Sequence, residues 1–295
     1  MTPPDRPRLA GLAWVRLACR LEFDAPVSGM PDLGWGALLR GSFGRALFAT
    51  APVSAELFMG GQTADDAVRP WWLSAHPLAA DGADGIRAVD ACWTLVGPAI
   101  PRLPDVARAI EDMGMAGLGR ERMPARLREA AAAEHVDADQ LWMQVSASPA
   151  ISAAEPLEVR ADSPWRVKHR NQWLRQAMPM DVLLLACLAR LSAVRRVSGI
   201  AAEAPLIDAA ARRAWLDRAA AWAPRAEDTR VAQAPRWSAR QARQLPLSGL
   251  VGSWRYDAPA RVALPWLALA QQLHLGSKTT LGFGQLRLAS ARDAG

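Results

Sequence analysis

The hydrophobic pattern near the N-terminus changes from the period of a strand to that of a helix, and this change constrains the fold most. Every second residue from 15 to 23 is a large apolar or cysteine side chain, and Arg16 and Arg20 stand at alternate positions. This alternation predicts a half-buried strand with arginines on its open face. From 35 to 47 the apolar residues instead fall on one stripe of a helix. The first fifty residues therefore predict a domain that mixes strands and helices.

The rest of the chain continues this mixture. Strands are predicted at 89–96, 157–160, 249–256 and 284–289, and helices at 101–113, 126–135, 180–197, 205–222 and 265–275, with a long loop at 62–85. Such an order predicts an α+β fold in which each half is a ferredoxin-like unit with helical insertions. Because 295 residues are many for one compact unit, two domains are expected, residues 1–160 and 161–295.

The charge of the chain favours a polyanionic partner. The net charge is +6, the sequence pI is about 10.1, and only Lys168 and Lys278 among the 35 basic residues are lysines. Planar guanidinium groups bind phosphate in a bidentate manner, which suits nucleic acid, although a GC-rich genome would also enrich arginine. The longest apolar run, residues 182–188, is too short to cross a bilayer. Nucleic acid is therefore preferred over a membrane as the partner.

The numbers and spacing of cysteine and histidine residues bear on whether the protein contains disulfides or a metal site. The cysteines Cys19, Cys92 and Cys187 are odd in number and form no C-x-x-C pair, which fits a reducing cytoplasm, as does an N-terminus without the pattern of a signal peptide. The four histidines are scattered and make no metal-binding motif. We therefore expect a cytoplasmic protein without a metal or another small-molecule cofactor.

The most specific motif lies near the C-terminus, where residues 273–288 read LHLGSKTTLGFGQLRL. Gly276, Gly282 and Gly284 permit positive φ, and exposed backbone amides in such a loop can hold a phosphate. One cation and two hydroxyls could add to this contact: Lys278, Thr279 and Thr280. A tight structural connection explains the glycines equally well, so both interpretations stay open.

Four segments together resemble one family. They are the C-terminal motif, RWSARQARQLPLSGLVGSWRYD at 236–257, TLVGPAIPRLPDVARAIEDMGMAGLGRER at 94–122 and LRGSFGRAL at 39–47. In this order they resemble the CRISPR-associated pre-crRNA endoribonucleases, the Cas6 family of the RAMP superfamily. The resemblance implies two ferredoxin-like RAMP halves that carry helical insertions and a C-terminal glycine-rich loop.

The resemblance also implies a function. Its members bind the repeat hairpin of precursor crRNA and cleave it at the 3′ base of the stem. Cleavage needs no metal, because the ribose 2′-OH attacks the adjacent phosphate. The enzyme is expected to keep the mature crRNA and to join other subunits of a CRISPR effector complex, with no membrane partner.

The catalytic residues are harder to assign, because relatives carry a histidine in or near the first helix and this chain has none at 38–47. Arg45 is the expected counterpart, and Arg40 lies one turn earlier. Gly41 and Gly44 lie between them on the helical wheel, which suggests that RNA or a packed strand approaches the backbone there. Close helix packing with two solvated arginines is the alternative. Two further catalytic candidates are Arg20 and Arg243.

Basic clusters that contain tryptophan are the candidate RNA-binding surfaces, since arginine binds phosphate and tryptophan stacks on unpaired bases. The RNA-binding candidates outside the glycine-rich loop are Arg16, Lys168, Arg170, Arg212, Arg213, Arg236 and Arg240. Buried tryptophans surrounded by solvated arginines would give the same pattern.

Two other functions stay open beside the endoribonuclease. The missing helix histidine would also fit a catalytically inactive crRNA-binding RAMP subunit of an effector complex. A backbone RAMP subunit would coat RNA of any sequence, whereas a hairpin binder would discriminate. Within the family, an arginine-based site favours the type IV systems over a type I processing subunit.

Overall fold

The computed structural model describes residues 6–28, 32–60, 68–79, 85–119, 121–130, 133–200, 204–238 and 243–289. These residues form two antiparallel sheets, one in each half of the chain, with a two-stranded hairpin beside the second. Helices pack on both sheets, as the α+β prediction requires.

The first half has the order of a ferredoxin-like unit. Its elements are β1 (Ala13–Val27), α1 (Trp35–Thr50), α2 (Pro52–Met59), β2 (Trp71–Ala79), β3 (Ile86–Val96), α3 (Leu103–Ala116), β4 (Ala125–Ala130), β5 (Glu134–Asp137) and α4 (Ala138–Ser146). The sheet order is β2-β3-β1-β4, and β5 continues the pairing along β1. With α1 after the first strand and α3 after the third, this is the β-α-β-β-α-β arrangement.

The second half repeats that arrangement. Its elements are β6 (Leu157–Trp165), β7 (Lys168–His169), β8 (Gln172–Trp173), α5 (Met180–Val197), α6 (Ala209–Ala219), β9 (Ala226–Ser238), β10 (Arg243–Tyr256), α7 (Leu264–Leu273) and β11 (Leu286–Ala289). Its sheet order β11-β6-β10-β9 matches that of the first sheet, and β7 and β8 form the separate hairpin. The predicted fold of two ferredoxin-like halves is confirmed.

The predicted domain boundary falls inside a strand, because β6 starts at Leu157 and belongs to the second sheet. Helix α4 ends the first half in sequence but packs into the second core, where the rings of Trp142 and Trp266 lie 4.9 Å apart. The two halves are therefore joined by buried apolar contacts as well as by the chain.

The alternation in β1 determines which side of the first sheet is covered. Leu17 and Leu21 pack in one core with Leu39 and Phe43 of α1. The even-numbered residues of β1, Arg16 and Arg20 among them, point to the opposite face. Helix α1 and these arginines therefore lie on opposite sides of one sheet.

Some sequence-based predictions of secondary structure are wrong. Residues 126–135 are not a helix, because β4 and β5 pair with β1 and this pairing overrides the helix propensity of their alanines. The predicted loop at 62–85 contains β2, and the long strand β9 was not predicted at all. Within the described residues, no helix is long and apolar enough to cross a membrane.

Candidate nucleic-acid interface

The glycine-rich loop, residues 276–284, packs directly against the first helix. A Cβ atom added to Gly36 of α1 would lie 2.1 Å from the carbonyl oxygen of Leu281, so only glycine fits there. The 3₁₀ turn Thr279–Leu281 of this loop also lies against β2. The loop of the second half is thus seated on the first half.

The other two glycines of α1, where a close approach was predicted, have different surroundings from those of Gly36. A Cβ atom at Gly41 would meet no atom within 4 Å, and at Gly44 it would meet only the side chain of Met59 in α2. The glycine that makes room for a neighbouring backbone is therefore Gly36, which the sequence analysis did not single out. Gly41 leaves an open strip on the surface of α1.

Within the glycine-rich loop, several backbone donors already have partners inside the chain. Gly276, Gly282 and Gly284 all have positive φ, as their sequence predicted. Four loop amides donate to backbone carbonyls: those of Ser277, Leu281, Gly282 and Gly284. These four amides are not available to hold a phosphate, so that prediction is wrong for them, and RNA contact through the partly exposed Lys278 and Thr280 stays a prediction.

A buried arginine that was not predicted from the sequence supports the glycine-rich loop. Arg190 of α5 is only 6% exposed; its Nε donates to the carbonyl of Leu273 at 2.8 Å and its Nη2 to the hydroxyl of Thr279 at 3.3 Å. Its guanidinium carbon lies 4.9 Å from the ring centroid of Trp72 in β2. Thr279 is buried in this network, so it does not face a ligand. The only sequence signal for Arg190 was its place inside an apolar helix.

The two arginines of α1 face different ways. At 100° per residue, Arg40 lies about 40° from Gly36 around the helix, whereas Arg45 lies on the opposite side. The Nη2 of Arg45 donates to the carbonyl of Gly119 at 3.0 Å and to the hydroxyl of Ser42 at 3.3 Å, while the Ser42 hydroxyl accepts from the Gly119 amide. Arg45 thereby connects α1 to the loop after α3. Of these two arginines, Arg40 is the one on the side of the glycine-rich loop.

The arginines of β1 are not part of this site, because the first sheet separates them from α1. Arg20 makes a bidentate ion pair with Asp90 of β3, with N···O distances of 2.7 and 2.9 Å, and its guanidinium lowers the pKa of that carboxyl. Arg16 bonds to Glu134 of β5 at 2.8 Å. The prediction that Arg16 and Arg20 complete the site around α1 is therefore contradicted by the geometry.

The hairpin formed by β9 and β10 reaches the same region as Gly36 and the glycine-rich loop. Leu247 of β10 packs on Leu281 and Phe283, as do Leu33 just before α1 and Ala37 in its first turn. Arg236 and Arg243 lie farther out on this hairpin, in the two paired strands, and Arg240 falls outside the described residues. Of the predicted residues, Arg40, Lys278 and Thr280 lie on the elements that meet at Gly36.

The remaining RNA-binding candidates lie on the second half. Lys168 and Arg170 belong to the β7–β8 hairpin, where Lys168 lies 4.7 Å above the ring of Trp173. Arg212 and Arg213 are exposed on α6, which packs on α5. The predicted RNA-binding residues outside the glycine-rich loop and the β9–β10 hairpin therefore lie on the β7–β8 hairpin, on α6 and, for Arg16, on the face of the first sheet opposite α1.

A polar cleft between the two halves contains a histidine that the sequence analysis placed in a loop. His76 of β2 borders two adjoining cavities of about 310 and 180 Å³. The first cavity is lined by Arg16, Arg20 and Asp90. The second is lined by Arg16 and by Asp162 and Arg287, which form an ion pair. Because β2 was not predicted from the sequence, the position of His76 at this cleft was not predicted either.

The histidine nearest to the glycine-rich loop is structural. His274 is 6% exposed, and its Nδ1 lies 3.1 Å from the carbonyl oxygen of Phe283, so this nitrogen carries the proton. Burial lowers the pKa of His274 to about 3, with the nearby charge of Arg190 as a smaller cause. This neutral imidazole holds the loop through Phe283 and also lines the 180 Å³ cavity that His76 borders.

Comparisons with known proteins support the resemblance seen in the sequence. Residues 159–286 match the family model of CRISPR-associated endoribonuclease Cas6. The solved structure of Thermus thermophilus Cas6 is similar with a TM-score of 0.61 at 15% identity, over 95% of this chain and 100% of that chain. A Cas6 substrate mimic complex gives a TM-score of 0.53 at 21% identity, over 94% of this chain and 99% of the other.

A partial Cas6-RT-Cas1–Cas2 complex gives a TM-score of 0.53 at 12% identity, over 99% of this chain and 48% of that one. No curated protein matches the chain. At such identities the structures establish a common fold, and the family match covers the second half. The resemblance to the Cas6 family is confirmed.

Proposed function

We propose that this chain, a relative of the Cas6 endoribonucleases in sequence over residues 159–286 and in fold throughout, processes CRISPR repeat RNA. It binds the repeat hairpin of precursor crRNA and cleaves at the 3′ base of the stem. The observation that carries the proposal is that the family match spans the β9–β10 hairpin and the glycine-rich loop, which pack together where the loop lies against α1.

The proposed reaction is an attack of the ribose 2′-OH on the adjacent phosphate, which leaves a 2′,3′-cyclic phosphate and a 5′-OH. It requires in-line alignment of the reacting atoms and stabilisation of the charge on the pentacovalent phosphorane. Arg40 and Lys278 lie on the two elements that Gly36 brings together and supply that charge. In the proposed step water takes the proton of the 2′-OH and water also supplies the proton that the departing 5′ oxygen needs.

Cleavage is proposed to be independent of metal ions, because scattered histidines make no ligand set in the sequence. Among the described residues, no group of three His, Cys, Asp or Glu side chains is placed to hold a metal ion. The absence of histidine from α1 predicts slow turnover. Slow turnover fits an enzyme that stays on its product within an effector complex.

A cleavage assay with purified protein and its cognate repeat RNA tests the proposal. We expect cleavage in EDTA at the rate seen in magnesium, and a product that ends in a 2′,3′-cyclic phosphate. A 2′-deoxy substitution at the cut site should abolish cleavage and leave hairpin affinity unchanged. A strict magnesium requirement, or cleavage of the deoxy substrate, would contradict the mechanism.

The second candidate is an inactive crRNA-binding subunit, which the lack of a histidine in α1 favours. It predicts tight hairpin binding without cleavage of any repeat substrate, in a preparation of verified fold. Salt dependence provides an independent check of RNA binding, since log affinity should fall linearly with log salt when several phosphates are neutralised. Equal affinity for unrelated single strands would instead favour a backbone subunit. The type IV assignment stays a prediction.

A further inference from the structure

A cavity of about 450 Å³ lies on the second half, outside the region around Gly36. It is enclosed by α5, by the β7–β8 hairpin and by Gly276 and Ser277 at the start of the glycine-rich loop. A volume of this size is in the range of pockets that enclose small organic molecules. The cavity therefore has room for a ligand larger than an inorganic anion.

One wall of the cavity is a single apolar stripe of α5. Its members follow one another at helical spacings of three and four, with the buried Arg190 on the same wall: Val182, Leu185, Ala186, Ala189 and Ala193. The side chains in the middle of the stripe are alanines, and their small size creates the concavity. Leu185 and Ala186 are partly exposed and Ala189 is exposed, so no other described element covers this wall.

The opposite side of the cavity is cationic. Arg166, Lys168 and Arg170 line it, together with His169, and among the residues that the structure describes no carboxylate lines the cavity. The guanidinium carbon of Arg166 lies 4.3 Å from the ring centroid of Trp173, which with Lys168 gives the hairpin side a fixed aromatic and cationic edge. The wall therefore attracts an anion, and its arginines suit phosphate.

Two local features indicate that this wall is shaped for a ligand. The Oγ of Ser277 is buried and has no hydrogen-bond partner within the described residues, although a buried hydroxyl normally has one. Arg170 and Asn171 at the tip of the β7–β8 hairpin both have positive φ, at 47° and 65°. Such a two-residue turn favours asparagine but strains an arginine, and strain of this kind concentrates at functional sites.

We propose that this cavity binds one unpaired nucleotide of the RNA. The base lies against the apolar stripe of α5, and its phosphate lies between Lys168, Arg170 and the hydroxyl of Ser277. An apolar wall facing a cationic wall matches a nucleotide better than a free phosphate, which would leave the apolar wall exposed. The identification of the ligand as RNA rests on the proposed function, whereas a free nucleotide would satisfy the same chemistry.

The first test fills the cavity or removes its charge and measures the affinity of the full-length protein for repeat RNA. Ala189→Trp fills the apolar side; Ala147→Trp, at an exposed residue after α4, is its control for an added indole. Arg170→Ala removes a cation from the cavity, and Arg108→Ala removes an exposed cation from α3 as its control. We expect A189W and R170A each to bind about tenfold more weakly than their controls, the scale of one lost base or phosphate contact.

The second test locates the nucleotide. Repeat RNAs carry 2-aminopurine at successive unpaired positions, and one position should change its fluorescence in the wild type and in A147W but not in A189W. If A189W binds RNA as tightly as A147W and no position depends on it, the proposal is overturned. Thermal melting of each variant establishes that it is folded before binding is measured.

Titration with 2-aminopurine riboside 5′-monophosphate separates the two sources of the ligand. If the free nucleotide binds the wild type and not A189W while RNA affinity is unchanged, the assignment to RNA is overturned and the chemistry of the cavity is supported. The proposed function is judged separately, from cleavage by the wild type alone. A protein that does not cleave can still be titrated with the free nucleotide.

Discussion

Gly36 in the first half of the chain lies in direct contact with the backbone of Leu281 in the second half, with no room between them for a side chain. This contact fixes the glycine-rich loop on α1 and places Arg40 on the same side as Lys278. It also explains why two segments almost at opposite ends of the sequence contribute to one region.

Gly36→Ala and Gly41→Ala form a matched pair that tests this contact. In a helix interior, alanine is favoured over glycine by about 1 kcal/mol, so Gly41→Ala, with no atom within 4 Å of the new Cβ, should stabilise the protein by up to that amount. At Gly36 the new Cβ would overlap a backbone carbonyl, and overpacking of this kind costs roughly 1–3 kcal/mol. Urea unfolding measures both changes, and equal stability of the two variants would show that the contact is not tight.

Arg40 and Arg45 should behave differently, although both were predicted from the sequence as catalytic. If Arg40 stabilises the phosphorane, its replacement by alanine should slow single-turnover cleavage about 100–1000-fold, with only a modest loss of hairpin affinity. Lysine at position 40 should restore little, because a point charge lacks the planar fork. Arg45→Ala breaks bonds to Gly119 and Ser42 and should cost about 1 kcal/mol of stability with cleavage within a few-fold. The reverse order of the two cleavage rates would place the site on the other face of α1.

Arg20→Ala should leave cleavage nearly unchanged, because Arg20 is paired with Asp90 on the face of the sheet opposite α1. Both partners are more than a third exposed, and exposed ion pairs contribute about 1 kcal/mol or less to stability. Single-turnover cleavage at saturating protein is the measurement, with Asp90→Asn as the companion variant. A hundredfold loss of rate in R20A alone would return Arg20 to the catalytic site.

Arg190→Leu should destabilise the protein strongly, because it removes donors from the buried carbonyl of Leu273 and the hydroxyl of Thr279. Hydrogen bonds to a charged group contribute roughly 1.5–3 kcal/mol each, so a loss of about 3 kcal/mol is expected. Arg196→Leu, at an exposed position on the same helix, is the control and should change stability by less than about 0.5 kcal/mol. Chemical denaturation followed by tryptophan fluorescence measures both, and equal effects would contradict the role of Arg190.

The neutral state of His274 predicts a specific pH dependence of stability. In the unfolded chain a histidine binds a proton below about pH 6.5, whereas burial keeps His274 neutral in the folded protein until about pH 3. The unfolded state therefore binds one more proton in this window, and stability should fall as pH is lowered through it, by up to about 1.4 kcal/mol per unit. His274→Asn keeps a donor for Phe283 and tolerates positive φ, so it should show a shallower fall between pH 6.5 and 4. Identical profiles for both proteins would show that His274 is accessible to protons.

The sequence by itself determined the local structure wherever the pattern depends on near neighbours. The alternation in β1 required one covered and one open face, and the apolar spacing of α1 and α5 gave helices close to those observed. The positive φ of Gly276, Gly282 and Gly284 followed from glycine's missing Cβ. The order of these elements was enough to predict two ferredoxin-like halves.

Only the tertiary structure decided which of these residues meet. Residues 126–135 became strands because an edge of β1 was available for pairing, a long-range gain that no local propensity contains. Arg20 is paired with Asp90 of the neighbouring strand β3, and Arg45 donates to the carbonyl of Gly119. Arg40 lies on the side of α1 that faces the glycine-rich loop, because Gly36 contacts Leu281, a residue far away in the chain. The sequence specifies which side chains are charged. Whether a given charge faces a carboxylate, a carbonyl or an open surface depends on contacts that form only when the chain folds.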